Sequence, residues 1–328
     1  MADYRGRFVW HELLANDPKS AGTFFSKIIG WKTQPFGTGQ SYTLFVSGKR
    51  QLAGLMALPD EAKKMGAPPS WLTYIGTPDV DETARVATSL GATVMKAPED
   101  IPGAGRYAVL QDPQGATFGI YKSNQPPGPD DPPTVGEFSW HELATTDAKA
   151  AFNFYHRLFG WEETSSMDMG EGMGVYQMFG QSKNGRTLGG LFTKPAQMPG
   201  PAAWLPYIKV PDARKSAEAI KKAGAQVING PMEVPGGDWI AQGLDLQGSM
   251  FAVHSVTAPA PAAKPATPPR TAAAKKKPAA KKAASKKKAA PKKKTAKRAA
   301  KAKPARKAAK KAAKKAAKKA TKGRKRLR

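Results

Sequence analysis

The chain says the same thing twice. Phe8-Val9-Trp10-His11-Glu12-Leu13 returns 130 positions later as Phe138-Ser139-Trp140-His141-Glu142-Leu143. The same displacement relates Asp17 to Asp147, Phe24 to Phe154, and Gly30-Trp31 to Gly160-Trp161. Further on, Trp71-Leu72-Thr73-Tyr74-Ile75 returns as Trp204-Leu205-Pro206-Tyr207-Ile208, and Asp112-Pro113-Gln114-Gly115 as Asp245-Leu246-Gln247-Gly248, both displaced by 133. Solenoid repeats recur every ~20 to 50 residues, so so long a period marks a duplicated domain. The slip in displacement predicts insertions between the copies, with the glycine-rich Met169–Gly174 as their expected place.

Each copy reads as alternating strands and helices. Residues 7–14 alternate as a strand, with Phe8, Trp10, Glu12 and Leu14 on one face and Val9, His11 and Leu13 on the other. Asn16-Asp17 offers an N-cap, Ala21, Phe24, Phe25, Ile28 and Ile29 recur at helical spacing, and Gly30 is placed to end the helix. Strand patterns over 32–35, 41–46 and 52–57 complete a β-α-β-β-β unit. A second unit follows, with a strand over 71–77, a helix over 80–90, and strands over 93–97, 106–111 and 117–122. Asp112–Gly115 turns between the last two strands. The proline-rich stretch 125–135 reads as a semi-rigid linker, and 136–257 repeat the plan of 6–124.

Composition divides the chain once more. Residues 258–328 hold 30 of the 53 Lys and Arg and none of the 25 Asp and Glu, so the +28 of the whole is a near-neutral body joined to a polycation. From Ala258 no apolar side chain larger than Ala recurs until Leu327, and such a segment cannot build a core. There is no cysteine, which excludes disulfides, zinc–thiolate sites and a thiol nucleophile. No secretory signal pattern opens the chain and no apolar run approaches the ~18 residues of a membrane span, so the expected location is cytoplasmic.

Four β-α-β-β-β units in two domains resemble the vicinal-oxygen-chelate superfamily of glyoxalases, bleomycin-resistance proteins and extradiol dioxygenases. The residues carrying the likeness are the first strand followed by Asp17, Phe24-Phe25, Gly30-Trp31 and the Asp112–Gly115 turn, with Asp147, Phe154-Tyr155, Gly160-Trp161 and Asp245–Gly248 in the second copy. The tandem plan looks most like two-domain glyoxalase-like proteins described as mycobacterial antigens. The resemblance implies an α+β fold in which each domain pairs two units into one curved, cup-like sheet. It also implies a place for a divalent ion, held by His, Glu or Gln from the first strand of each unit and Glu from the last. Here those positions fall on Trp10 and Trp140, on Leu72 and Leu205, and on Gly119 and Ala252, none of which can bind a metal. No cofactor is therefore expected, and a divalent metal using Glu12 with Tyr121, or Glu142 with His254, is disfavoured because two donors are few.

The cups remain chemically legible. Trp10, Glu12, Tyr74 and Tyr121 are expected to share the first, and Trp140, Glu142, Tyr207 and His254 the second. Two readings stand open. One is an apolar ligand pocket with a few orienting polar groups, in which Glu12, Glu142, His254 and Tyr121 are the candidates for acid–base work. The other is a filled cup, with the tryptophans as core and the glutamate bonded to a tyrosine hydroxyl. His11 and His141, by alternation, point away from the cups toward a helix-covered face or a domain contact, and Trp31, Trp71, Trp161 and Trp204 are expected to pack between helices and sheet.

The basic segment resembles the C-terminal tail of linker histones. Lys275, Lys276, Lys277, Lys286, Lys287, Lys288, Lys292, Lys293 and Lys294 lie in proline-punctuated clusters, and Lys310, Lys311, Lys314, Lys315, Lys318 and Lys319 in Lys-Lys-Ala-Ala tetrads. Such lysines neutralise phosphates and release counterions, so the expected partner is DNA without sequence preference, with RNA as an alternative. Lacking aromatics, the segment has no means of stacking on single-stranded bases. Association with the nucleoid follows, or with the nucleus in a nucleated cell. Like charges at i and i+4 oppose a helix in free solution, while Ala and Lys favour one once phosphates remove the repulsion. A peptide of residues 306–320 titrated with duplex DNA should gain helical circular dichroism, and an unchanged spectrum would refute this.

Overall fold

The computed structural model describes residues 4–37, 42–125, 128, 130–170 and 172–256. The first domain contains β1 (Phe8–Ala15), α1 (Pro18–Ile29), β2 (Lys32–Pro35), β3 (Tyr42–Ser47), β4 (Arg50–Ala57), α2 (Asp60–Lys64), β5 (Ser70–Gly76), α3 (Val80–Ser89), β6 (Thr93–Ile101), β7 (Gly105–Gln111) and β8 (Thr117–Ser123). The second contains β9 (Phe138–Thr145), α4 (Ala148–Phe159), β10 (Glu162–Asp168), β11 (Val175–Gly180), β12 (Thr187–Thr193), β13 (Ala203–Lys209), α5 (Ala213–Lys222), β14 (Gln226–Glu233), β15 (Trp239–Leu244) and β16 (Met250–Ser255). Each domain is one eight-stranded sheet, ordered β2-β3-β4-β1-β5-β8-β7-β6 and β10-β11-β12-β9-β13-β16-β15-β14. The two units of a domain meet where β1 runs antiparallel to β5, and β9 to β13.

The predicted helix ends hold for local reasons. Asp17 and Asp147 accept the backbone N–H three residues on, and Gly30 and Gly160 take the left-handed conformation at φ 86° and 77° that stops α1 and α4. The slip in displacement has more than one source. Tyr42 and Tyr176 are 134 apart because β10 has seven residues against four in β2 and Tyr176 is second in its strand where Tyr42 is first, Leu55 and Leu191 are 136 apart after the longer β11–β12 turn, and the short helix α2 brings β5 back to 133. Helix α2 was not foreseen, and β6 runs to Ile101, beyond the predicted 97.

The alternation of the first strand needs a correction. A β-bulge between Phe8 and Trp10, matched in β9, adds one residue and returns Phe8 and Phe138 to the face of His11 and His141. That face is where the domains meet. His11 stacks on Phe138 with ring centres 3.6 Å apart, and His141 on Phe8 at 3.5 Å. Between them the two imidazoles touch, Nε2 to Nε2, at 2.8 Å.

The cores are shared across this contact. One joins α3 and the second unit of the first domain to α4, Phe154, Tyr155 and Trp161. The other joins α1, Phe24, Phe25 and Trp31 to Ile208, Val210, Phe251 and α5. Trp31, Trp71, Trp161 and Trp204 are all buried in them. The seams are closed reciprocally: Trp31 Nε1 donates to Gly136 O and Trp161 Nε1 to Gly6 O, both at 2.8 Å.

One pair of equivalent positions breaks the reciprocity. Asp112 Oδ1 accepts from the backbone of its own turn, and its Oδ2 accepts from the Tyr155 hydroxyl at 2.9 Å. That hydroxyl in turn accepts from Trp204 Nε1 at 3.0 Å. Burial pushes the Asp112 carboxyl up, against the bonds it accepts. In the other core Phe25 stands for Tyr155, so Trp71 Nε1 and Asp245 Oδ2 are buried without a hydrogen-bond partner. The surrounding rings repeat: Phe25 meets Trp71 at 5.3 Å and 86°, and Tyr155 meets Trp204 at 5.4 Å and 77°. Phe25→Tyr should therefore bridge both orphaned groups and raise stability by about 1–3 kcal/mol in urea unfolding, with Tyr155→Phe losing a similar amount. A Phe25→Tyr protein no more stable than the parent would contradict this geometry.

Candidate functional site

With Phe and His committed to the domain contact, Trp10 and Glu12 are left facing the first cup, and Trp140 and Glu142 the second. In the first, Trp10 Nε1 donates to Tyr42 Oη at 3.1 Å, and Tyr74 Oη donates to Glu12 Oε2 at 3.0 Å. Glu12 is 8% exposed; burial raises its pKa, opposed by bonds from the Tyr42 and Tyr74 hydroxyls. In the second, Trp140 Nε1 donates to Tyr176 Oη at 2.9 Å, Tyr176 donates to Glu142 Oε2 at 3.1 Å, and Tyr207 donates to Glu142 Oε1 at 3.0 Å. Gln242 Nε2 adds a bond to Glu142 Oε1 at 3.1 Å and another to Tyr207 Oη at 2.6 Å. Burial raises the Glu142 pKa as well, again opposed by its donors. Desolvation also pushes the Tyr42, Tyr74, Tyr176 and Tyr207 hydroxyls upward, so they stay protonated and donate.

The repeated element is thus a knot of Trp, Glu and two Tyr on the floor of each cup. Sequence reading placed Trp10, Glu12 and Tyr74 together, and likewise Trp140, Glu142 and Tyr207, but missed Tyr42, Tyr176 and Gln242. A signal existed: Tyr42 precedes Gly54, and Tyr176 precedes Gly190. A Cβ on Gly54 would lie 1.9 Å from Tyr42 Oη, and one on Gly190 2.1 Å from the Tyr176 ring, so only glycine lets each tyrosine lie flat over β4 or β12.

Two expected members are elsewhere. The Tyr121 hydroxyl turns away from Glu12 and donates to Ala104 O at 2.9 Å. His254 does not meet Glu142. Its Nδ1 lies 2.9 Å from Ser139 Oγ and its Nε2 3.0 Å from Asp238 Oδ2, because β16 carries it past Ala252 to the rim, beside the bulge of β9. The Glu142–His254 acid–base pair and the Glu12–Tyr121 pair are therefore not formed. The lysines expected to contact DNA lie outside the described residues.

The cups do not fit a divalent ion. Leu72 and Leu205 face Glu12 and Glu142 across the strand pairs, and Gly119 and Ala252 lie opposite Tyr74 and Tyr207. Among the described residues the floor of each cup offers one carboxylate, already taken by phenols, and an indole N–H that can only donate. Among the described residues no three His, Cys, Asp or Glu converge. Half-buried Trp10 and Trp140 leave part of each indole as a wall above the knot.

Two curved sheets of paired β-α-β-β-β units, with equivalent residues at the heart of each cup, define a tandem chelate-type fold. The chain belongs to the glyoxalase/bleomycin resistance protein/dioxygenase superfamily: that family's profile matches residues 137–253, and a glyoxalase-like domain matches 10–121. "Putative glyoxylase CFP32" of Mycobacterium tuberculosis is 33% identical over 266 residues, spanning 79% of this chain and 98% of that one. The anthracycline biosynthesis protein DauV of Streptomyces sp. strain C5 is 27% identical over 272 residues, spanning 79% of this chain and 96% of that protein. Among solved structures, the 2,3-dioxygenase LapB from Pseudomonas sp. KL28 superposes with a TM-score of 0.55 at 10% identity, over 80% of this chain and 97% of LapB. The Mn(II)-bound glyoxalase from Novosphingobium aromaticivorans does so at 0.51 and 14%, over 77% and 82%. These last two likenesses are of fold.

The histidines of the repeated motif are titratable groups at the heart of the domain contact. Burial and the neighbouring imidazole lower the His11 pKa, and burial lowers that of His141 to about 3. Between about pH 3 and the ordinary value of 6.5 the unfolded chain holds the proton and the folded one does not, so stability falls as pH falls through this window. Each such histidine contributes a slope of up to ~1.4 kcal/mol per pH unit. Glu12, Glu142 and Asp112, whose folded pKa values are raised, act in the opposite sense above their unfolded values. They cancel when the parent is compared with His11→Gln/His141→Gln. The stability of the parent relative to that double variant should decline steadily from pH 6.5 to pH 4, and a constant difference would count against burial of the neutral pair.

Proposed function

We propose that this is a DNA-associated tandem glyoxalase-like protein whose cups bind an apolar small molecule without a metal ion. The metal-free reading is carried by both carboxylates being committed to phenolic donors, and the pocket reading by the half-buried Trp10 and Trp140, which a filled cup would bury. A flat aromatic ligand suits the faces of Trp10 and Trp140. A relative named for anthracycline biosynthesis lends support, since an anthracycline is a flat fused-ring molecule. DNA association rests on 30 basic residues without one acid in 258–328. The relatives' shared 79% of this chain is about the length of the near-neutral body. The tail would hold the body on the nucleoid.

A second reading, an enzyme of glyoxalase or dioxygenase type localised by its tail, draws on the likeness to a structure titled as a Mn(II)-bound glyoxalase. Elemental analysis separates the two. The favoured reading expects no stoichiometric metal, whereas one metal per domain, lost in Glu12→Gln and Glu142→Gln, would establish the rival. For the tail, the full chain should retard duplex DNA while residues 1–257 do not. If six or more lysines engage phosphates, affinity should drop at least ~10³-fold from 50 to 200 mM salt. Equal retardation by both proteins would remove the DNA assignment.

A further inference from the structure

The second cup carries at its rim a constellation that the first does not. Ser139 is the bulged residue of β9, His254 the penultimate residue of β16, and Asp238 the residue leading into β15. Together they form one hydrogen-bonded chain, Ser139 Oγ to His254 Nδ1 at 2.9 Å and His254 Nε2 to Asp238 Oδ2 at 3.0 Å. The carboxylate can only accept, so Nε2 carries the ring proton and Nδ1 presents a lone pair to the serine hydroxyl. The other acceptor within reach of Ser139 is Tyr207 O, at 3.5 Å, too long to compete. The hydroxyl proton is therefore aimed at a base whose far side is oriented by an acid. Those are the roles of nucleophile, general base and orienting carboxylate in acyl transfer, where geometry and not chain order defines the set.

The internal duplication supplies a control. The positions equivalent to Ser139, His254 and Asp238 hold Val9, Tyr121 and Gly105. There Tyr121 fastens the preceding loop by a single bond to Ala104 O. Fastening that loop needs neither a serine nor a base, so the extra chemistry of the second domain is not demanded by the fold. All three groups are partly exposed: His254 and Asp238 side chains at 16% and 34%, with Ser139 half-buried. Trp140, next in sequence to Ser139, turns a half-buried indole into the cup.

We propose that Ser139, His254 and Asp238 form a hydrolytic site for carboxylic esters whose acyl group lies against Trp140. Ser139 Oγ bonds to the acyl carbon as its proton passes to His254 Nδ1, leaving the negative charge on the former carbonyl oxygen. The ester C–O bond breaks with its electron pair on the alcohol oxygen, which takes the proton from Nδ1. Water then attacks the acyl-serine, its proton moving to Nδ1 and from there to Ser139 Oγ as the acid departs. Ester and water become acid and alcohol, and no other reactant is needed. The acyl group would share the Trp140 indole with the cup's ligand, and labelling at Ser139 reads the hydrolytic site separately from binding there.

The full-length chain is treated with an alkyl fluorophosphonate, which phosphonylates an activated serine with loss of fluoride, and the adduct is located by peptide mapping. Labelling should fall on Ser139, vanish in Ser139→Ala, and slow at least ~100-fold in His254→Gln, with a substantial loss in Asp238→Asn. Near-UV circular dichroism and the thermal midpoint verify that each variant is folded. The pH profile of the parent gives a readout that needs no variant, since labelling should rise with pH as a single base loses its proton. Absence of label on Ser139, a rate unchanged by His254→Gln, or a pH-independent rate would overturn the assignment and leave the three residues as a fastening of the β14–β15 loop.

Discussion

The two domains are joined at one contact, the buried meeting of His11 and His141 between two phenylalanines. Each imidazole lies flat on the Phe of the other domain and edge-on to its twin. Both rings are buried and held neutral by that burial, because an imidazolium here would lie in an apolar core with no counter-charge. The contact explains why the two copies of the motif resemble one another so closely. Phe and His build the joint between domains, and Trp and Glu, on the opposite face of the same strand, build the cup.

Around that joint neither domain owns a complete interior. The aromatic cluster of Tyr155, Trp161 and Trp204 is completed by Phe118 of the first domain, and that of Phe25, Trp31 and Trp71 by Phe251 of the second. Large aromatic side chains each bury much area, so exchanging them across the joint couples the halves more strongly than a peripheral interface could. The linker adds a lesser tie, with Asp130 paired to Arg7 of one domain and Arg186 of the other. Those pairs are partly exposed and contribute little beside the cores.

Much of this was legible. Caps at Asp17 and Asp147, terminating Gly30 and Gly160, and the period of 130 gave the units and their order. What failed did so for definite reasons. Strict alternation put Phe8 with Trp10, and a bulge, which has no composition of its own here, reversed it. His254 was placed by the same counting on the cup face, which is right for its strand, yet the deciding partner, Asp238, comes from an irregular turn. Tyr42 and Tyr176 escaped notice because β10 is longer than β2, which hides their equivalence from a fixed displacement.

The joint has one more consequence. Two identical imidazoles facing each other about an exact two-fold axis would present either two protons or two lone pairs. The contact can form only if one ring donates and the other accepts. His141 Nδ1 lies 3.1 Å from Leu188 O, a carbonyl that must accept, so His141 keeps its proton there and receives the one on His11. A single hydrogen atom thus sets a direction across the pseudo-two-fold that relates the two motifs. Two copies fused in one chain can fix that direction once by their unequal surroundings, whereas two identical separate subunits would have to choose it afresh at every encounter.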